Sequence, residues 1–192
     1  MNDLPWLLRL IFRTDLFLIN RVFMPLAHWI DWRFHYSPYQ QAYVVMAVGM
    51  AMNAASTIVS FIQIPTWFGA IGPLSSMIIF WAFRFYFKKF EQAQRQYETR
   101  PDVLCWAQMF FMGPHMAFPR VGFILLGSQL GVFVAMSSLL PPVRLLDPLN
   151  AVLGFWMLLF GVALYLAGAF PPQRPRREKR TLAVLRPAPV GA

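Results

Sequence analysis

The side chains that could do chemistry in this sequence are few and scattered. The three histidines are His28, His35 and His115, and Asp31 lies between the first two. His28 and His35 are seven residues apart and fall on similar faces of a helix, so a metal or haem site would need rings from separate segments. A lipid-acting membrane enzyme would depend on these four side chains. The simpler interpretation is polar residues at a headgroup boundary, because no HExxH or CxxC spacing accompanies them.

Nucleophile motifs do not favour an enzyme either. Ser128 lies in an apolar run, without a G-x-S-x-G turn or a nearby base. The single cysteine, Cys105, has only Asp102 close by in sequence, and a negative charge disfavours a thiolate. There is no Gly-rich phosphate loop. We therefore expect a protein that is not an enzyme and that holds no metal and no cofactor.

The amino-acid composition indicates that much of the protein surface is covered by lipid rather than by water. Apolar residues make up 58% of the chain and charged residues only 13%, whereas soluble domains carry about 25% charged residues. A bilayer-spanning helix needs roughly 20 apolar residues. The sequence therefore predicts an all-α integral membrane protein with four spans, at about 42–64, 67–87, 121–140 and 149–170.

Three regions follow from these spans. Residues 1–40 form an N-terminal amphipathic interfacial region, since spanning would bury Arg21 near mid-bilayer at about 2.5–3.5 kcal/mol; Pro25 predicts a kink there. Residues 41–170 form the transmembrane domain. Its cytoplasmic loop, 88–120, begins with a helix continuing the second span and contains an interfacial or re-entrant segment at 103–119. Residues 171–192 form a tail rich in Pro and Arg.

The distribution of positive charge predicts the orientation. With this topology, sixteen of the seventeen Lys and Arg residues lie on one side of the bilayer, and only Arg144 lies on the other. Positive charge marks the cytoplasmic side. Arg also outnumbers Lys by 14 to 3, which hints at a bacterial source. We therefore expect a multi-pass protein of the bacterial inner membrane with both termini in the cytoplasm.

Small and amide side chains inside the spans predict helix contacts. Asn53 and Gln129 fall near the middle of their spans, and an amide in hydrocarbon needs a partner. They either face the bundle interior, bonding each other or a neighbouring subunit, or bond separately to local backbone. Close helix packing is predicted at glycines with small-residue spacing, namely Gly127 and Gly131 in the third span and Gly154, Gly161 and Gly168 in the fourth.

The tail and the functional class complete the prediction. Basic residues next to the last span predict binding of anionic headgroups or an acidic partner: Arg174, Arg176, Arg177, Lys179 and Arg180. The tail has no aromatic residue for stacking bases, so nucleic acid is not expected. The leading prediction is a non-catalytic, structural or assembly subunit of a secretion, conjugation or energy-transducing complex, with other membrane subunits as partners. A small oligomeric transporter, channel or holin-like pore lined by Asn53, Ser56, Thr57 and Gln129 is the main alternative, and the lipid-acting enzyme is the third.

Overall fold

The fold is all-helical throughout the part of the chain that the structure, a computed structural model, describes: residues 5–63, 67–100, 106–137 and 147–169. This confirms the predicted all-α class. In chain order the helices are α1 (Trp6–Leu18), a π-turn (Ile19–Phe23), α2 (Met24–Phe34), α3 (Pro38–Gln63), α4 (Trp67–Thr99), α5 (Trp106–Met112), a 3-10 turn (Pro114–Met116), α6 (Ala117–Ser137) and α7 (Asp147–Gly168).

The N-terminal helix, as we call α1, the π-turn and α2 together, passes Pro25 without a break. Proline has no backbone N–H, so a regular helix would lose a hydrogen bond at this position. The irregularity lies one turn earlier, where the N–H of Met24 donates to the carbonyl of Ile19 in a π-turn. The helix ends at His35, whose φ of 60° is left-handed and whose N–H donates to the Asp31 carbonyl at 2.9 Å.

Helix α3 begins with a capping box that also fastens the preceding helix. The Ser37 N–H donates to Gln40 Oε1 at 3.0 Å, and the Gln40 N–H donates to Ser37 Oγ at 3.3 Å. One turn on, Gln41 Nε2 donates to the carbonyls of Ala27 and Tyr36, at 3.1 and 2.8 Å. The first turn of α3 therefore holds the C-terminal half of the N-terminal helix.

The four long helices form a row in the order α6, α7, α3, α4. Antiparallel pairing of α6 with α7 follows from Arg120 lying beside Gly168 and Ile124 beside Gly161. Helices α3 and α4 are also antiparallel, and the rings of Tyr43 and Phe87 are 5.1 Å apart. Helix α4 folds back onto α7 through Phe83 and Phe160, with ring centroids 4.0 Å apart, so the row curls around an aromatic core.

The N-terminal helix crosses three members of the row at one end. Phe12 meets Phe118 in the first turn of α6, at 6.1 Å between centroids. Phe23 stacks on Tyr165 in the last turn of α7, at 4.5 Å and 6°. The Ala27 carbonyl accepts from Gln41 in the first turn of α3. We call this end of the bundle, formed by the first turns of α3 and α6 and the last turn of α7, the basic end.

The helices agree with the predicted segments in position. Helix α3 overlaps the predicted span 42–64, α6 overlaps 121–140 and α7 overlaps 149–170. Helix α4 covers 67–87 and continues to Thr99, as the helical pattern of residues 88–102 predicts.

Among the described residues, one pair of helices with a bend between them is long and apolar enough to span a membrane. Trp106–Met112 and Pro114–Val132, with 49° between them, together reach the length and hydropathy of a span. No single helix within the described ranges does so. The four spans remain a prediction.

Candidate functional site

A buried ion pair joins the N-terminal helix to α6 at the basic end. Arg120 Nε donates to Asp15 Oδ1 at 2.9 Å, and Arg120 Nη2 donates to Asp15 Oδ2 at 2.5 Å. Only 1% of Arg120 and 3% of Asp15 is exposed. The two parallel hydrogen bonds fix both the distance and the angle between two helices that are 105 residues apart in sequence.

Two further elements complete the surroundings of the guanidinium. Nη1 of Arg120 donates to the Phe111 carbonyl at the end of α5, at 2.6 Å. Gly168 at the end of α7 leaves the space that the guanidinium occupies, since a Cβ there would lie 3.1 Å from Nη1 and 3.2 Å from the Phe111 oxygen. The ring of Tyr165 lies 5.7 Å from the guanidinium carbon, within cation–π range. Helices α1, α5, α6 and α7 therefore meet at one side chain.

This arrangement, which we call the Arg120 junction, is built to hold helices together rather than to react. Nε, Nη1 and Nη2 each donate a hydrogen bond, and both carboxylate oxygens accept one. Buried charges are stable only when they are paired and hydrogen-bonded in this way. Across the described ranges, no group of three or more His, Cys, Asp or Glu side chains could hold a metal ion.

A cleft of about 290 Å³ opens beside the junction. Phe12, Leu16 and Ile19 of the N-terminal helix form one wall, Met112 and Pro114 form another, and the ion pair lies at its base. The lining is therefore mainly apolar, with one neutralised charge pair.

Helix α5 is attached to α4 by a second cation, Lys89. Its ammonium lies 3.5 Å from the ring centroid of Trp106 and 5.5 Å from that of Phe85. Both distances are within the range of a cation–π interaction, which favours a cation over an aromatic face. Together with the Arg120 junction, this contact holds the short α5 against the basic end.

Four of the five glycines predicted to pack helices lie in tight contacts. A Cβ on Gly127 would be 2.6 Å from Leu158 Cγ and 2.7 Å from the Gly154 carbonyl. One on Gly161 would be 2.9 Å from Ile124 Cδ1. Gly154 and Gly168 are similarly confined, by Leu130 and by Arg120. A Cβ on Gly131 would meet nothing within 4 Å. Of the two glycines in the GxxxG pair, only Gly127 therefore leaves space that α7 fills.

The two amides that the sequence predicts within spans differ in exposure. Gln129 is exposed on the outside of α6, whereas Asn53 is half-buried on α3. Gln129 therefore does not face α7, whose contact with α6 includes Gly127, and its predicted bond to a neighbouring subunit or to local backbone stays a prediction. Thr57, a residue of the pore alternative, donates to the Asn53 carbonyl of its own helix at 2.8 Å.

The remaining candidate residues are peripheral or outside the described ranges. His28, His35 and His115 are exposed, and Asp31 is half-buried. His115 lies 5.1 Å from the ring of Phe110, between centroids. Cys105, Ser56's side chain and the basic tail residues lie outside the part that the structure describes. Their predicted roles therefore stay predictions.

Asp15 and Arg120 are the residues that sequence reasoning missed. In the sequence Arg120 is one of many basic residues, and at 100° per residue Asp15 falls on the side of its helix opposite Arg9, Arg13 and Asn20. That second fact is the useful signal, because an acid on the apolar face of an amphipathic helix must be neutralised by a basic partner. Nothing in the sequence tells which arginine it is.

Comparison with known proteins gives no family to which the site could be referred. Neither a family model, nor a curated protein, nor a solved structure matches the chain.

Proposed function

We propose that this protein is a non-catalytic, structural or assembly subunit of a larger complex in the bacterial inner membrane. The observation that carries the proposal is an apolar ridge on the outside of α4. Leu74, Met77, Ile78 and Trp81 lie at helical spacing along one face, and each is at least 60% exposed. Exposed apolar surface of this kind marks contact with lipid or with another protein.

The polar groups at the basic end support a structural role over a catalytic one. At the Arg120 junction, three guanidinium nitrogens and both oxygens of Asp15 make hydrogen bonds within the protein, and the ammonium of Lys89 lies over aromatic rings. Groups that are consumed in holding helices together are not available to a substrate. What remains for interaction is the outer surface, which is rich in Trp, Phe and Met.

Site-directed photocrosslinking in native membranes tests the proposal. A photoreactive phenylalanine analogue at Trp81 lies on the ridge, and the same analogue at Gln92 lies on the exposed extension of α4. We expect a discrete crosslinked protein from position 81 that is absent from position 92. Mass spectrometry of the product, and of protein purified in mild detergent, identifies the partner.

Three outcomes would overturn the proposal. One is a solitary, monodisperse monomer that yields only lipid adducts at position 81. A second is conductance or solute flux through liposomes that contain only this protein, because that result would establish the oligomeric pore. A hydrolytic or transfer activity on lipid that is lost when His28, Asp31, His35 and His115 are changed to alanine would establish the enzyme instead.

A further inference from the structure

The outward face of the N-terminal helix is the largest surface feature that the proposed function does not use. The side of this helix that packs on the bundle carries Asp15, Ile19, Phe23 and Ala27, four residues apart in each case and all buried. The opposite side of α1 is apolar and exposed: Trp6 is 73% exposed, Phe17 61% and Leu10 52%. This helix therefore has two apolar sides, of which the bundle covers one.

The charges beside this face are all of one sign. Arg13, Arg21 and Arg33 are exposed. The helix contains two acids; Asp15 is buried against Arg120, and Asp31 is half-buried. Because the carboxylate of Asp15 is taken into the protein, the exposed side presents apolar rings and guanidinium groups with no exposed carboxylate among residues 5–34. Such a surface is complementary to a partner that has negative charges next to an apolar region.

The position of the helix selects a lipid leaflet as that partner. It runs across α6, α7 and α3 within their terminal turns, where the boundary of a bilayer around the predicted spans would lie. Tryptophan side chains concentrate at such boundaries, and Trp6, Trp29 and Trp32 are all exposed on this helix. A basic helix with aromatic and aliphatic residues on its free side is typical of one lying in the headgroup layer.

We propose that the outward face of the N-terminal helix, comprising Trp6, Leu10, Phe17, Arg13 and Arg21, docks on anionic phospholipid at the cytoplasmic leaflet. The proposal rests on the membrane placement of the proposed function but not on any partner protein. The apolar side chains enter the acyl boundary, and the two arginines bind phosphate groups. The Arg120 junction sets the depth of this helix, because it ties Asp15 to the first turn of α6.

Spin-label accessibility tests the location of the face. The full chain carrying Cys105→Ser is placed in nanodiscs of phosphatidylcholine and phosphatidylglycerol, with a single nitroxide at Leu10→Cys or Phe17→Cys. Gln96→Cys on the exposed extension of α4 is the matched control. We expect positions 10 and 17 to collide more with oxygen than with a water-soluble nickel complex, and position 96 to do the reverse. Equal nickel accessibility at all three positions would overturn the proposal.

Retention of phosphatidylglycerol in native mass spectra tests the charge. Arg13→Gln with Arg21→Gln removes both cations, and we expect preference for phosphatidylglycerol over phosphatidylcholine to fall roughly 25-fold, about fivefold for each arginine. Arg100→Gln is the control, since Arg100 follows the end of α4 and does not lie on the N-terminal helix. The same preference in the double variant and the control would refute the anionic-lipid contact.

Flotation separates this failure from failure of the membrane placement. If the membrane placement is wrong, the chain does not float with vesicles of either lipid. If only the outward face is wrong, the chain floats with both, while positions 10 and 17 remain open to nickel.

Discussion

Asp15 and Arg120 hold together elements that no covalent or short-range constraint brings together. Replacing a buried ion pair with well-packed apolar residues is often neutral for stability, so the pair is not required for stability alone. Its geometry is more specific than that of apolar packing, because two parallel hydrogen bonds allow one orientation. Residues 15 and 120 lie on different segments, so we expect the pair to favour this docking of the N-terminal helix.

Removing one partner should therefore cost more than removing both. Asp15→Leu leaves the Arg120 guanidinium buried without its counter-ion, and we expect a loss of about 3–5 kcal/mol in the free energy of unfolding. Asp15→Leu with Arg120→Leu removes both charges and should recover most of that loss. Thermal unfolding of the purified protein in detergent, read as a double-mutant cycle, measures the difference.

The exposed pair Glu91–Arg95 on α4 is the control for this cycle. It has the same chemistry and an N–O distance of 2.5 Å, but its side chains are 56% and 75% exposed. Leucine at either position should change the free energy of unfolding by about 0.5 kcal/mol or less. If the Asp15 cycle gives a coupling as small as this, the junction does not hold the N-terminal helix.

At this scale the sequence located candidate side chains but not the contacts that they make. The lack of a ligand spacing could be read directly from the positions of His, Cys and Asp. The partner of Asp15 could not, because it depends on how α1 crosses α6, and many arginines were available. Gln129 was expected to face the bundle interior, because hydrocarbon excludes polar groups. It is exposed, because its position on α6 lies away from the face that meets α7.

Helices α6 and α7 approach closely because glycines remove side chains from their contact. The Gly127 position meets both Leu158 and the Gly154 backbone, so neither neighbour can move away without separating the helices. Gly131, one turn later on the same helix, faces open space. Gly127 and Gly131 are thus the same residue type on the same helix, one tightly packed and the other with open space where a Cβ would lie.

Alanine at these two glycines should therefore give opposite results. Gly127→Ala places a Cβ 2.7 Å from a carbonyl oxygen, and we expect a loss of about 1–3 kcal/mol in the free energy of unfolding. Gly131→Ala should be neutral or stabilising by up to about 1 kcal/mol, because alanine favours a helix over glycine. Unfolding of the two variants in the same detergent measures this. Equal losses at both sites would contradict the observed packing of α6 on α7.

The cap at the start of α3 gives a second prediction for an element. Ser37 caps the first turn and its hydroxyl also donates to Gln94 Oε1 on α4. Ser37→Ala removes both contacts, and we expect a loss of about 1 kcal/mol or somewhat more. Ser37→Asp keeps a capping oxygen but cannot donate to Gln94, so it should recover only the cap. Amide hydrogen exchange of residues 39–41, which include the capped N–H of Gln40, resolves the cap; unchanged protection in Ser37→Ala would contradict it.

The sequence predicted elements better than it predicted their irregularities. Apolar runs of the right length located α3, α6 and α7, and the amphipathic pattern of residues 88–102 predicted the extension of α4. Pro25 predicted a kink, and the structure has a π-turn before the proline, in which Phe23 stacks on Tyr165. That stacking is a tertiary contact, which periodicity does not contain.

At the scale of the whole molecule, many of the described basic residues lie towards one end of the bundle. The described basic residues of the N-terminal helix, Arg120 and the α4 extension belong to the basic end or continue from it, because antiparallel pairing returns each helix to the same side. Residues 63 and 67, and 137 and 147, form the opposite end. Arg84, in contrast, lies next to Phe83, which contacts Phe160 about two turns before the end of α7.

A bilayer around this bundle would orient the basic end towards the cytoplasm, since positive charge is retained on that side. We therefore expect Gln96→Cys, in a Cys105→Ser background, to be unreactive towards a membrane-impermeant maleimide in intact cells and reactive after permeabilisation. Leu145→Cys, which lies next to Arg144 between α6 and α7, should react in intact cells. Identical reactivity of the two positions would contradict the topology. Recovery of the untreated protein in the aqueous fraction would contradict the membrane placement itself, because the exposed apolar surface would then face water instead of lipid.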